Sequence, residues 1–393
     1  MKHLALAATI AAVACTEVEA GTPAKGGEVR AIWVTRFEYQ SEAQIRTILQ
    51  NCAGLGFNTV LFQVRGQADA YYASRIEPWS ERLGGKDPGF DPLEVACREA
   101  HRLGLSIHAW VNAMPAWRGK TPPADRAHVC FKHPEWIVVG RDGRRQAFND
   151  HYVCLNPCLP AVREYITSVM RDIATRYPID GLHLDYIRFI EGDWSYDEKT
   201  LSLFGFMSGG SPDEKPEAWT AFRRGSVTEL VRSIRDAVKA ARPGALVSSA
   251  VFPTAESRRK VLQDAEGWVK AGLVDWVFPM TYSDRDADFR SEIEEGYALF
   301  RKGGVFSSSG APLRTQSSRP VDTASSARAV CIPGVGIFKH KTAEQTARQM
   351  EMCRAGFALF SYSSLYVSPD DARRESDALC KARREAVKRF LDR

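Results

Sequence analysis

The residues of this sequence best equipped for chemistry are carboxylates at the ends of short apolar runs, set beside basic and aromatic side chains. Asp185 closes the run Gly181-Leu182-His183-Leu184-Asp185, with Tyr186 directly after it and Arg188 three positions on. A carboxylate so placed serves as a nucleophile, a general base or a stabiliser of developing positive charge, or else forms a structural ion pair with Arg188. Arg188 is positioned to do both jobs, holding Asp185 ionised and bonding a substrate. Hydrolysis of an acetal by protein groups alone needs a second carboxyl group, about 5 Å away for retention of configuration and about 6.5 to 9.5 Å for inversion. The preferred candidates are Asp69 and Glu77, which follow the run ending at Arg65 and lie next to Ala70-Tyr71-Tyr72 and Pro78-Trp79. Glu38, Glu191, Asp193 and Asp284 are further loop acids. Flat rings at Trp79, Trp110, Tyr186, Trp194 and Tyr282 suit stacking on a sugar face, whereas Trp33 reads as interior packing.

Groups that hold a metal are not arranged in the sequence. Cys154 and Cys158 have no second cysteine pair and no nearby His-x3-His to complete a tetrahedron, so neither a metal nor any other cofactor is expected. A metal-dependent deacetylase or an esterase would need a ligand cluster or an activated serine, and neither pattern occurs.

These side chains must be carried by elements, and the elements are legible. From residue 28 onward short β-rich runs alternate with longer helical patterns, the mark of a parallel sheet with crossover helices. Strands are predicted over 29–35, 58–65, 106–112, 181–185, 246–252, 274–282, 330–338 and 357–362, with helices over 42–55, 92–103, 160–177, 219–241, 257–271 and 342–355. Gly56, Gly104 and Gly272 follow three of these helices where left-handed caps are expected. Eight units in this length fit a (β/α)8 TIM barrel with long loops at its C-terminal rim. An open doubly wound sheet is the rival, but no glycine-rich loop follows the first strand, where the residues are Arg36-Phe37-Glu38-Tyr39.

Period-two alternation gives the strands a direction. On the third strand Ile107, Ala109 and Val111 suit the helix layer, which turns His108, Trp110 and Asn112 inward; on the fourth, Leu182 and Leu184 face outward and His183 and Asp185 inward. Gln63 and Arg65 share a face of the second strand, and Phe278, Met280 and Tyr282 one of the sixth. Arg65, Asn112, Asp185 and Tyr282 therefore converge at the rim where barrel enzymes react, with His183 one layer deeper. The irregular stretch 113–156 should cover part of that rim, and 306–323, rich in Ser, Arg and Pro, reads as a surface insertion.

Composition narrows the classes of partner. The net charge of +5 is spread along the chain, and the densest basic stretch, 373–393, alternates with acids at helical spacing; a solvated helix face accounts for it, and no nucleic-acid-binding motif occurs. Lys2 and His3 precede an apolar run over 4–14, which is too short to span a bilayer and reads as an export signal over 1–20. Cleavage falls after Ala20, or before Cys15 with lipidation as the alternative. The expected product is an exported protein, periplasmic, at the cell surface or secreted, with no transmembrane segment and one domain over 28–393. Nine cysteines are present, and the eight beyond Cys15 make some disulfides an expectation in an oxidising compartment.

Taken as an ordered set, the motifs resemble the glycosyl-hydrolase-like family 10 of exported bacterial proteins. The likeness runs through Arg30-Ala31-Ile32-Trp33-Val34, through 57–65 with Asp69-Ala70-Tyr71-Tyr72, and through Glu77-Pro78-Trp79-Ser80. It continues in Phe90-Asp91-Pro92-Leu93, His108-Ala109-Trp110-Val111-Asn112, Leu155-Asn156-Pro157 and 180–186. The resemblance implies a (β/α)8 barrel that hydrolyses a glycan, with peptidoglycan-like or other amino-sugar polymers as substrates. It points to Asp185 as a catalytic carboxylate and to Arg65, Asp69, Asn112, Asn156 and His183 as pocket residues. Family 18 chitinases are a more distant comparison. Where they carry a glutamate on the fourth strand this chain has Ile187, so its proton donor must come from elsewhere. A carbohydrate-binding barrel that has lost its proton donor is the competing expectation.

Overall fold

The structure is a computed structural model and describes residues 28–301, 329–366 and 375–393. The expected export signal, Cys15 and the insertion at 306–323 lie outside the described residues.

Eleven strands occur among the described residues: β1 (Val29–Val34), β2 (Thr59–Arg65), β3 (Ser106–Asn112), β4 (Pro115–Arg118), β5 (Tyr152–Cys154), β6 (Gly181–Asp185), β7 (Leu246–Val251), β8 (Trp276–Thr281), β9 (Val330–Cys331), β10 (Gly334–Val335) and β11 (Gly356–Leu359). All but β4 and β5 lie in one parallel sheet that runs β1-β2-β3-β6-β7-β8-β10-β11 and returns to β1. The ring is closed, and the molecule is a (β/α)8 TIM barrel.

The seventh barrel position is served by two short pieces. β9 pairs with the start of β8 and β10 with its end, on either side of Ile332 and Pro333. Proline has no N–H to give to a ladder, so a continuous strand over 330–338 does not form.

The packing helices are α1 (Glu42–Leu55), α2 (Pro92–Arg102), α3 (Val129–Lys132), α4 (Pro160–Arg176), α5 (Glu198–Ser208), α6 (Pro216–Ala241), α7 (Ala255–Lys260), α8 (Ala265–Lys270), α9 (Asp286–Arg301), α10 (Ala343–Glu351) and α11 (Asp377–Leu391). A capping box of Ser41 and Gln44 starts α1, and Gly56 ends it in the left-handed region at φ +99°. The single helix expected over 257–271 is two. Gln263 turns inward between them, giving its amide to the Ala250 carbonyl (3.2 Å) and accepting from the Phe252 N–H (2.9 Å). Asp264 then caps α8. Among the described residues no helix is long and apolar enough to cross a membrane.

Two apolar clusters follow the strand alternation. Ile32, Val34, Val60, Phe62, Val64, Ile107, Ala109, Val111, Leu182 and Leu184 belong to the large core between sheet and helices. Val29, Ala31, Trp33, Leu61, Trp110, Trp276, Phe278, Ile332 and Ala358 form a separate cluster inside the barrel. Each large apolar side chain so buried stabilises by about 1.5 to 3 kcal/mol, so the strands are held from both faces. The lumen is therefore filled below, and any reactive opening is confined to the rim.

The stretch 113–156 is folded: β4 and β5 pair as an antiparallel ribbon directly after β3, with α3 between them. The eight cysteines of the described residues are all unpaired thiols, contrary to the expected disulfides. They are dispersed over separate elements. Cys154 and Cys158, close in sequence, are each buried, which pushes their thiols up to about 12 and about 11.

Candidate active site

Asp185 ends β6 opposite Asn112 of β3, and the chain turns sharply after it, with Tyr186 in the left-handed region at φ +47°. That conformation is uncommon for a bulky residue and marks a spot where the surroundings over-determine the backbone. The Asp185 side chain is 8% exposed, and its Oδ1 accepts the Tyr186 N–H at 2.7 Å. Burial raises its pKa above the ordinary aspartate value; Arg188, the Tyr186 N–H and the adjacent Trp110 pull the other way without prevailing. Asp185 is thus a carboxyl group whose charged form is disfavoured by its burial.

Around it stand half-buried rings: Tyr152, Tyr186, Phe252, Tyr282, Phe338 and Phe360. Tyr186 meets Tyr152 edge to face at 4.8 Å, and Tyr282 packs against Phe338 and Phe360. Burial, then Asp185 and Tyr186, hold the Tyr282 hydroxyl well above its ordinary pKa, so it stays a neutral donor in the field of Asp185. Gly336 admits this ring, since a Cβ there would stand 2.7 Å from that of Tyr282.

On the opposite side of the rim a polar network joins β1, β2, β3 and the ribbon. Asn112 accepts from Gln63 at 3.2 Å and gives its amide to the Gly66 carbonyl and the Tyr152 hydroxyl. Arg36 Nη2 also donates to the Tyr152 hydroxyl, at 3.0 Å. An oxygen that accepts two hydrogen bonds has used both lone pairs and keeps its own proton, so the Tyr152 O–H is left to donate. Arg36 crosses the face of Gly66, where any Cβ would fall 2.3 Å from its Nε. Burial disfavours its charge, but Tyr152, Tyr71 and Asp69 outweigh that and keep its pKa above the ordinary value. Neither Arg36 nor Tyr152 lies in a motif that marks it in the sequence; the glycine at position 66, directly after the inward Arg65, is the one local signal.

Six carboxylates are buried among the described residues: Glu38, Asp69, Glu77, Glu99, Asp180 and Asp185. Four are taken up by structural partners. Glu38 binds the Thr35 and Ser363 N–H groups, Glu99 binds Arg46 and Arg102, and Asp180 binds His101 and the Ile107 N–H. Glu77 is gripped by Arg65 Nε and Nη2 and by the Tyr165 hydroxyl at 2.7 Å, with both partners of the ion pair fully enclosed. Among the described residues Asp69 accepts only the Gln67 N–H, at 3.1 Å, and it lies in the field of Arg36.

The predicted residues therefore divide. Asp185, Tyr186, Arg188, Asn112 and Tyr282 come together at the rim, Trp110 lies beneath them, and Asp69 joins through Arg36. Arg65 and Glu77 form a closed clamp, in which Arg65 Nη1 also donates to the Asn112 and Ala113 carbonyls and so fixes the start of the ribbon. His183 is sealed in the lumen: it accepts from the Trp33 indole at 3.1 Å and gives its other ring N–H to Ser248 at 2.9 Å. Burial drives its pKa well below the ordinary value, so it is neutral. Asn156 is fully enclosed and saturated by Asp197, Thr200, Ser195 and the Cys158 N–H. Among the acids left as alternatives, Glu191, Asp193 and Asp284 are exposed. No group of three or more His, Cys, Asp or Glu able to hold a metal occurs among the described residues.

Residues 28–299 match the family described as Glycosyl hydrolase-like 10. The chain is 29% identical over 280 residues to Glycosyl hydrolase DigH of Escherichia coli (strain K12), covering 63% of this chain and 59% of that protein. It is 27% identical over 292 residues to Glycosyl hydrolase YngK of Bacillus subtilis (strain 168), covering 65% and 54%. The chain thus spans less than two thirds of the length of these relatives. Among solved structures, the PgaB (BpsB) glycoside hydrolase domain from Bordetella bronchiseptica superposes with a TM-score of 0.63 at 14% identity, over 93% of this chain and 99% of that one. α-L-Fucosidase isoenzyme 2 from Paenibacillus thiaminolyticus gives 0.60 at 14%, over 93% and 49%. Both have the same barrel fold. Closed barrel, rim carboxyl and a match that spans strands β1 to β8 agree, and the chain belongs to the Glycosyl hydrolase-like 10 family.

Proposed function

We propose that the protein is a glycoside hydrolase, exported from the cytoplasm, that cleaves O-glycosidic bonds in a peptidoglycan-type or other amino-sugar polymer. The observation that carries this reading is Asp185, a buried carboxyl at the C-terminal end of β6 whose pKa burial raises and whose Oδ1 accepts the Tyr186 N–H. Such a group suits proton donation to a glycosidic oxygen, because the acid of the pair must hold its proton near the working pH. The donor missing at Ile187 is then Asp185 itself, in place of the nucleophile role its position first suggested. Asp69, the other buried acid without a structural partner set, is the counterpart carboxylate. Tyr152 and Tyr282 supply O–H donors to the sugar, and the rings of Tyr186 and Phe252 line its path. Export is supported by the apolar run that follows Lys2 and His3. The relatives named glycosyl hydrolases support the reaction class, and the resemblance of the ordered motifs supports the amino-sugar polymer.

The test is product analysis after incubation with peptidoglycan glycan strands, chitooligosaccharides and plant polysaccharides. New reducing ends from an amino-sugar polymer, lost in Asp185→Asn and in Asp69→Asn, are expected. Glycan binding without any new reducing ends, unchanged in Asp185→Asn, would replace this reading with that of a carbohydrate-binding barrel.

A further inference from the structure

The end of the barrel where its strands begin lies away from the candidate site, and it brings two thiols together on one turn of one helix. β9 starts at this end, where the Val330 N–H donates to the Asp275 carbonyl at 2.9 Å, and Cys331 is the next residue. α10 returns to the same end, because a helix that follows a barrel strand runs back against it. Cys353 lies just beyond α10, and the nearby Ala355 carbonyl accepts the N–H of Val29, the first residue of β1, at 3.3 Å. The two cysteines therefore share a level. They share a side as well. Val330 and Ile332 pack in the lumen, which turns Cys331 outward into the core between sheet and helices, and Cys353 packs against that same core.

α9 links them, since it packs against both β9 and α10. Its Gly296 makes room for the Cys331 Sγ, which would stand 3.4 Å from a Cβ there. The next residue of α9, Tyr297, accepts on its hydroxyl the N–H of Arg354, the neighbour of Cys353, at 2.8 Å. Burial, then the field of Cys331, raises the Cys353 thiol, and the Tyr297 hydroxyl feels both sulfurs.

We propose that Cys331 and Cys353 are a redox-active pair whose disulfide closes the seventh β/α unit on itself. Both are free thiols in this structure, Cys353 half-buried and Cys331 5% exposed. The Cys353 thiolate attacks one sulfur of an incoming disulfide and expels the other half as a thiolate. The Cys331 thiolate then attacks the Cys353 sulfur of the mixed disulfide and expels the second half. Two electrons pass from the pair to the oxidant, whose halves leave as thiols with the two protons. The oxidant is a reactive disulfide of a small thiol or of a protein, the class that prevails outside the cytoplasm. The strands of this unit, β9 and β10, are two residues each, the shortest in the barrel, so little backbone pairing opposes its local opening. A bond from Cys331 to Cys353 encloses Pro333, β10 and α10 in one ring and removes conformations from the opened unit.

The test incubates reduced, purified protein with oxidised glutathione at about pH 8.5, where thiolates are more abundant. The protein is then denatured, alkylated, digested and mapped by mass spectrometry. The expected result is a cross-linked peptide joining Cys331 to Cys353, the loss of two alkylatable thiols per chain, and a melting temperature higher by about 5 °C that dithiothreitol reverses. Cys353→Ser should abolish the cross-link and the rise together. Recovery of both cysteines without a bond between them, a pairing with any other cysteine, or a cross-link that leaves the melting temperature unchanged would overturn the proposal. The wild-type peptide map decides the matter even if the serine variant folds poorly. Glycan turnover enters none of these readouts, so a failure here and a failure of the hydrolase reading are told apart.

Discussion

Glu77 and Asp185 are both buried carboxylates beside an arginine at the top of the barrel, and they are built in opposite ways. Glu77 has its oxygens committed to Arg65 and Tyr165, with both charged side chains enclosed. Asp185 accepts one backbone N–H, and its arginine stands off beyond pairing distance, pinned by rings. A satisfied pair fixes geometry and has nothing left to offer a ligand, whereas an unsatisfied one costs stability and keeps its capacity for a substrate. Burial of a carboxylate is therefore no guide to catalysis until its partners are counted.

The contrast is broken most decisively by removing each carboxylate in turn. Asp185→Asn should lower turnover by about 100- to 10,000-fold, the usual contribution of a positioned acid, with the protein still folded. Glu77→Ala should instead reduce unfolding free energy by about 3 to 5 kcal/mol in urea titrations, because it leaves Arg65 buried without its counter-charge. The double substitution Arg65→Met with Glu77→Leu should recover part of that loss, since it removes both charges together. A Glu77→Ala protein of wild-type stability would mean that the clamp is not structural.

A smaller effect is expected on the far side of the basin. Tyr152→Phe removes the one hydroxyl that Arg36 and Asn112 jointly support and should lower kcat/KM by about tenfold, with a stability cost of about 1 kcal/mol from the two donors left unpaired. An unchanged kcat/KM would show that the Tyr152 O–H does not reach substrate.

The stability of the Asp185 site itself sharpens the comparison further. The folded pKa of Asp185 lies above the unfolded value, so its favourable contribution is complete below the ordinary aspartate pKa of about 3.9 and is lost as pH rises through the folded value. Asp185→Asn, neutral throughout, should therefore unfold at a higher temperature than wild type at pH 7, with the gain vanishing near pH 3. A lower melting temperature at pH 7 would place Asp185 among the stabilising carboxylates with Glu77.

Much of the frame was legible because it rests on local rules. Alternation turned His183 and Asp185 inward, and Gly56, Gly104 and Gly272 all take positive φ. What the sequence could not reveal was the partner count. Arg65, Glu77, Asn156 and His183 have the right types at the right strand ends, yet their capacity is spent on Tyr165, Asp197, Thr200 and Ser248, from elements far away in the chain. Tyr152 escaped for the converse reason. It sits in a three-residue strand inside an insertion with no periodicity, and only the pairing of β4 with β5 brings it to Asn112. Arg36 was hidden because its place is set by Gly66, a neighbour from the next strand.

The central claim, that Asp185 is the proton-donating group of the site, is tested most directly by the pH dependence of reducing-end release at limiting glycan. The expected result is a basic limb that falls through an apparent pKa above the ordinary aspartate value and disappears, along with most of the rate, in Asp185→Asn. An Asp185→Asn enzyme that keeps the wild-type rate and the same basic limb would contradict it.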